Sequence, residues 1–390
     1  MHPTISQTSD HSASETEHYT ARSEAGAGSD LGPWPLRLAR LALLLAILVV
    51  LLGGWTRLND AGLSCPDWPG CYGELILPGS AQGQALAQLR YPLIPIDSAR
   101  AWLEMSHRYL AAGLGLNILL LAVVAARQSA HVRRRDGGRY PRRLSYLLLG
   151  LVIVQGLFGM WTVTLKLLPQ VVTLHLVGGL LTVSLLVLLN QSLLRIQLQS
   201  RSDSSYRRTA ASDAGPTAVG SSVKRWSGIA VLMLLIQVAL GGWTSSNYAG
   251  WACPHWFSCQ QVDAAGQTVA LDYQAAFILP SADQQSFLGG RKSPQARAAI
   301  QMTHRGMALL LVLYLGVLML RFWRHERLRA ASVLVVGVAL LQALLGGLNV
   351  IYGLPLWLAF GHHLGALLLL LSLLRLYRLS GLSARERNYG

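Results

Sequence analysis

The stretch GGWTRLNDAGLSCPDWPGC, Gly53–Cys71, returns as GGWTSSNYAGWACPHWFSC at Gly241–Cys259. Eleven of the nineteen positions are identical, and the two copies lie 188 residues apart. Each follows directly on an apolar run, and each keeps two cysteines with five residues between them. The repetition continues downstream. His107-Arg108 returns as His304-Arg305 at an offset of 197, the second intervening loop being nine residues longer. QGLFGMWTV from Gln155 matches QALLGGLNV from Gln342, and His175 matches His362, both at an offset of 187.

The chain has 390 residues, of which 52% are hydrophobic and only 13% charged. That is not the composition of a soluble domain. The apolar residues fall into eight blocks, at about 36–55, 104–126, 144–164, 171–194, 226–244, 301–323, 330–350 and 356–377. Each is roughly the 20 residues a helix needs to cross a bilayer. The expected fold is therefore an all-α integral membrane protein, its eight transmembrane helices arranged as two tandem four-helix bundles. Four spans per unit is an even number, so both units run the same way and the repeat is parallel. Equivalent residues then lie at equal depth, unlike the inverted repeats of many transporters.

The net charge of +15 is topology rather than a nucleic-acid surface. Arginines crowd the loops between spans two and three, four and five, and six and seven, and the C-terminal end. Lys166 is the only basic residue between spans three and four. This positive-inside pattern places both termini in the cytoplasm. Residues 1–33, rich in Ser, Ala, Gly, Glu and His, lack the apolar core of a signal peptide and read as a disordered cytoplasmic tail. The remaining divisions are an N-terminal half at 34–197, a cytoplasmic linker at 198–224, a C-terminal half at 225–378 and a short tail at 379–390.

With that orientation both repeated segments emerge on the outer face. The chain's only cysteines, Cys65, Cys71, Cys253 and Cys259, lie there, in a compartment that permits disulfides. The spacing suits two small disulfide-closed loops. A structural staple, a redox-active pair passing electrons, and free thiols or metal ligands all stay open. Neither loop contains a four-ligand zinc set.

Ionisable residues inside a bilayer are costly and call for a reason. Of eleven histidines, His2, His11, His18, His131 and His325 fall in cytoplasmic segments and His255 in an outer loop. His107, His175, His304 and His362 form the repeat-related set. Spans two and four both enter from outside, and each histidine falls about one turn into its span, so each half carries two imidazoles at matched depth on different helices. That is what axial ligation of a haem iron requires. His363, beside His362, is the lesser candidate, because the repeat alignment selects His362.

Arg108 and Arg305 follow two of these histidines and suit haem propionates through charge-assisted hydrogen bonds; snorkelling to lipid headgroups is the plain alternative. The halves also differ. EMSHR in the first places Glu104 one turn before His107, on the same helix face, where QMTHR in the second has Gln301. A carboxylate there can move protons or stabilise positive charge, and a glutamine cannot. Orientation of His107, or a favourable anion at a helix start, is its structural alternative. Arg57, counted with Arg108 and Arg305 as haem-binding, becomes Ser245 in the second copy. The asymmetry suggests one reactive haem site and one electron-storing site.

GGWTRLNDAGLS, EMSHR, TLHLVGG around His175, THR at His304 and FGHHLG around His362 together resemble the haem A synthase family, over roughly residues 36–378. The resemblance implies oxidation of the C8 methyl of haem O to a formyl group, giving haem A for terminal oxidases. It implies that His107 and His175 flank haem O with Glu104 as the catalytic carboxylate, and that His304 and His362 ligate haem b. Two successive hydroxylations with water-derived oxygen, then loss of water from the gem-diol, would give the aldehyde. Bis-histidine ligation leaves no open iron position, which disfavours an oxygen-activating route. Haem O synthase and the assembly machinery of a terminal oxidase are the protein partners implied. A homo-oligomer stays open, and no nucleic acid is expected. The location implied is a bacterial-type inner membrane. The rival is a di-haem cytochrome that passes electrons from quinol and leaves its haems unmodified. It accounts for four histidines but not for Glu104 standing in one half only. A haem transporter or sensor is a third class, disfavoured by the parallel repeat.

Overall fold

The computed structural model describes residues 33–132, 140–201, 218–254, 259–262, 266–282 and 285–379. The two expected tails and most of the linker lie outside the described residues, as does His255. The described chain folds into α1 (Trp34–Leu58), α2 (Ala81–Arg90), α3 (Ser98–Val132), α4 (Arg142–Thr164), α5 (Pro169–Arg201), α6 (Ala218–Ser246), β1 (Gln261–Val262), β2 (Thr268–Val269), α7 (Tyr273–Phe277), α8 (Pro294–Phe322), α9 (Glu326–Ile351) and α10 (Leu356–Leu379). Eight of the ten helices, all but α2 and α7, are long and apolar enough to cross a membrane. A helix satisfies its backbone polar groups internally, which is why runs so poor in charge take this form in lipid. The protein is a multi-pass membrane protein.

Two closed rings of four helices result. In the first, α1 packs on α3, α3 on α4, α4 on α5 and α5 back on α1. In the second, α6 packs on α8, α8 on α9, α9 on α10 and α10 back on α6. The rings meet through α5 against α6, and through α10 against α1 and α5. One continuous apolar core, including Ala42, Ile118, Leu186, Leu234, Leu315 and Leu370, runs through both.

The duplication is visible in the turns as well. Asp60 and Tyr248, at matching positions after α1 and α6, take positive φ values of 50° and 54°. Lys166-Leu167 between α4 and α5 and Gly353-Leu354 between α9 and α10 are likewise all left-handed. Side chains rarely adopt that conformation, at about 1–2 kcal/mol per residue, so its recurrence reflects a shared backbone path. It is consistent with the tandem repeat.

Two expectations need adjusting. The helices bearing Glu104 and Gln301 begin at Ser98 and Pro294, several residues ahead of their apolar blocks, so His107 and His304 sit more than two turns into their helices. Ser293 caps α8 by accepting from the Ala296 amide at 3.2 Å, with Pro294 at the first helical position, a start signal written in polar residues. Helix α5 also runs on to Arg201, and α6 already begins at Ala218, so helices enter the expected linker from both sides.

Candidate functional site

His107 and His175 face each other inside the first ring. Their ring centroids are 6.5 Å apart with planes at 85°, and both Nδ1 atoms are buried without a hydrogen-bond partner. Orphaned buried nitrogens are uncommon and call for an occupant. Two imidazoles on opposite sides of one metal, with bonds of about 2 Å, bring their ring centres roughly 6 Å apart. Among the described residues no group of three or more His, Cys, Asp or Glu converges. Each pair therefore offers two ligands, which suits an iron whose remaining positions a macrocycle fills. The residues present fit a haem.

The second ring also carries a histidine pair, His304 and His362, but here both Nδ1 atoms have neighbours. His362 Nδ1 is 3.1 Å from the Gln342 carbonyl, Gln342 Nε2 donates to the His362 carbonyl at 2.8 Å, and Gln237 Nε2 stands 3.1 Å from His304 Nδ1. Glycines make room for the rings. A methyl group at Gly53 would stand 2.8 Å from His107 Cε1, and one at Gly241 3.1 Å from His304 Cε1. Gly346 has the same relation to His362 at 3.0 Å, and Gly159 a looser one to His175 at 3.7 Å.

The neighbouring His363 points elsewhere. Its Nε2 is 3.0 Å from the Val50 carbonyl of α1, and its ring lies against Gly54. It therefore crosses from the second ring to the first, while His362 stays within its own.

Glu104 is buried at 4% exposure and Gln301 at 3%, and the two hold the same post. Glu104 Oε2 accepts from the Cys65 amide at 2.9 Å; Gln301 Oε1 accepts from the Cys253 amide at 2.5 Å. The difference lies in the second side-chain atom. Glu104 Oε1 takes a guanidinium N–H of Arg108, whereas Gln301 Nε2 donates to the Gly250 carbonyl at 2.6 Å. Cys65 is disulfide-bonded to Cys71, and Cys253 to Cys259.

The three arginines lie where loops and the seam between the rings use their donors. Arg108 Nη1 reaches the carbonyls of Asp67, Pro69 and Gly70 at 2.9, 3.3 and 2.5 Å. Arg305 Nη2 donates to the Cys253 carbonyl at 2.6 Å. Arg57 leaves its own half: Nη2 donates to the Ser245 carbonyl at 2.8 Å and Nη1 to the Tyr248 hydroxyl at 3.2 Å, beside an ion pair with Asp60. Its guanidinium also lies 4.6 Å from the Tyr248 ring centroid, a cation–π distance.

Sequence reasoning passed over this seam, Asp60 and Tyr248 in particular, and over the glycines that seat the histidines. The signal for the glycines was present, since GGWT opens both repeats and close approach is what a glycine permits. The seam left no signal, because nothing in one chain's pattern says which surfaces of two bundles meet.

The fold and site define a polytopic membrane protein of two four-helix bundles, each with a partly buried histidine pair and a disulfide-closed loop. The sequence matches the COX15-CtaA model, described as cytochrome oxidase assembly protein, over residues 37–374, and the chain belongs to that family. It is 39% identical to the heme A synthase of Shewanella oneidensis over 339 residues, covering 86% of this chain and 93% of the relative. The heme A synthase of Mesorhizobium japonicum is 30% identical over 55% of this chain and 58% of its own. That of Azorhizobium caulinodans is 26% identical over 84% and 88%.

Proposed function

We propose that this protein is a haem A synthase, an oxidoreductase that converts the C8 methyl of haem O to a formyl group. The observation that carries the reading is the exchange of Glu104 for Gln301 at one structural post. Gln301 does the tethering to the loop amide without a charge, so that task does not by itself require the carboxylate of the first half. One turn from His107, it is placed for chemistry on a substrate held between His107 and His175.

Taking R–CH3 to R–CHO consumes one water overall and releases four electrons and four protons. Two hydroxylations add water-derived oxygen, and the gem-diol loses water. Glu104 accepts the proton of the attacking water or stabilises positive charge developing at the methyl carbon. Arg108 holds the carboxylate, and the apolar helix ring keeps bulk water away from the reactive carbon. His304 and His362 would hold haem b, whose chemistry when bound is one-electron transfer.

Our reading puts the chain in a bacterial inner membrane with both termini cytoplasmic. The arginine distribution supports that orientation, and activity from a reporter that works only outside the cytoplasm, fused after Gly390, would refute it.

Haems extracted from the purified protein after co-expression with a haem O source test the function. Haem A or its hydroxylated intermediate beside haem b is the expected result by chromatography and mass spectrometry. Haem b alone, with haem O in the cells untouched, would leave an electron-transfer cytochrome.

A further inference from the structure

We propose that the disulfide-closed ring Cys65–Cys71 is the positioning device of Glu104, and that Arg108 is the positioning residue through which it acts. This rests on the reading of Glu104 as the catalytic carboxylate.

The contacts form a closed circuit. Three carbonyls of the ring, those of Asp67, Pro69 and Gly70, converge on Arg108 Nη1. The other guanidinium nitrogen holds Glu104 Oε1. The second oxygen of Glu104 accepts from the ring's own Cys65 amide at 2.9 Å. A guanidinium is a flat fork, so fixing one of its nitrogens from three sides fixes the direction in which the other presents its hydrogen. The carboxylate inherits that direction.

Three carbonyls can face one nitrogen only while the segment stays curled. The disulfide, with its Cα atoms 4.8 Å apart, closes the curl, and the hydrogen bond that the Cys71 amide donates to the Glu74 carbonyl at 2.8 Å fastens its far side. Gly70 lies so close to that carbonyl that a methyl group would collide with it. The pair is sheltered, with side-chain exposures of 5% for Glu104 and 12% for Arg108, so water does not compete freely for it.

The second half shows what such a loop does without this task. Gln301 is oriented by two backbone groups, Cys253 N and Gly250 O, and offers Arg305 no carboxylate. The ring of the first half therefore serves a charge and that of the second only an amide. A plain staple would stabilise the loop without acting through Arg108.

The test is the steady-state oxidation of haem O by the full-length protein in nanodiscs, with the haem b absorption band recorded for each variant as evidence of folding. Arg108→Gln and the pair Cys65→Ser/Cys71→Ser are each expected to lower kcat by about tenfold to a hundredfold, the scale of a misplacement near 1 Å, with KM within about twofold. Combining all three changes should cost no more than the worse of the two, because both break one circuit. Arg108→Lys should recover part of the rate. Gly70→Ala, which leaves both cysteines in place, should give the same non-multiplicative loss, and Cys253→Ser/Cys259→Ser should not.

Multiplicative losses, a loss carried mainly by KM, or an equal loss on opening the second-half disulfide would overturn the proposal. Failure of the underlying reading looks different: Glu104→Gln would then oxidise haem O at the full rate. An inactive Glu104→Gln with multiplicative ring and Arg108 effects would sink this inference alone.

Discussion

The hydroxyl of Tyr248 donates to Asp60 Oδ1 at 2.7 Å, and these residues occupy the same position in the two copies of the repeat. Arg57 and its own counterpart Ser245 also meet, at 2.8 Å. Positions related by the duplication thus face one another across the join, as at an isologous dimer interface. The two copies differ here, so that Arg57 and Asp60 face Ser245 and Tyr248. Tyr248→Phe removes both the hydrogen bond donated to Asp60 and the one accepted from Arg57 Nη1, and is expected to cost about 1–2 kcal/mol. Thermal unfolding in detergent should show a lowered midpoint. In a double-mutant cycle with Asp60→Asn, the combined loss should fall short of the sum. Additive losses would mean the contact does not couple the halves.

Glu104→Gln is expected to leave the fold intact, because Gln301 already fills the equivalent post in the same protein with the same Cys-amide bond. Haem O oxidation should fall about a hundredfold or more, the range for losing a positioned acid–base group. The haem b band should stay within error of the parent, and the thermal midpoint should fall only modestly, by what neutralising the partner of Arg108 costs. A variant that lost haem b together with activity would show Glu104 to be structural.

The sequence made the fold legible for reasons tied to particular residues. Eight apolar blocks appear because lipid admits little else, and the pairing of His107 with His175 follows from the repeat and matched depth. What it could not reveal were positions set by tertiary approach. Ser98 and Pro294 start their helices in polar sequence, where hydropathy gives no signal. Arg57 and Arg108 read in the sequence as haem-propionate ligands, and no pattern there announces their other contacts: Ser245 and Tyr248 of the opposing bundle for Arg57, and the carbonyls of Asp67, Pro69 and Gly70 for Arg108.

The glycine seats give a site-selective test. Gly53→Ala places a methyl 2.8 Å from His107 Cε1 and Gly346→Ala one 3.0 Å from His362 Cε1, while at Gly159 the distance to His175 is an ordinary 3.7 Å. Gly53→Ala is expected to reduce occupancy by haem O with haem b retained, and Gly346→Ala to do the reverse. Gly159→Ala should bind both. Quantifying extracted haems per protein checks all three, and loss of both haems from either tight variant would refute separate sites.

The adjacent histidines of α10 separate ligation from packing. His362 faces its own bundle, beside Gly346 and Gln342, whereas His363 reaches the Val50 carbonyl of the other. The repeat sets Leu176 opposite His363, and Leu176 packs against Gly242 much as His363 packs against Gly54. A leucine therefore suits this kind of seam position. His362→Ala is expected to abolish the haem b spectrum. His363→Leu should keep it and lower stability by about 1 kcal/mol, the scale of one hydrogen bond. If His363→Leu lost haem b and His362→Ala retained it, the ligand assignment in the second half would pass to His363.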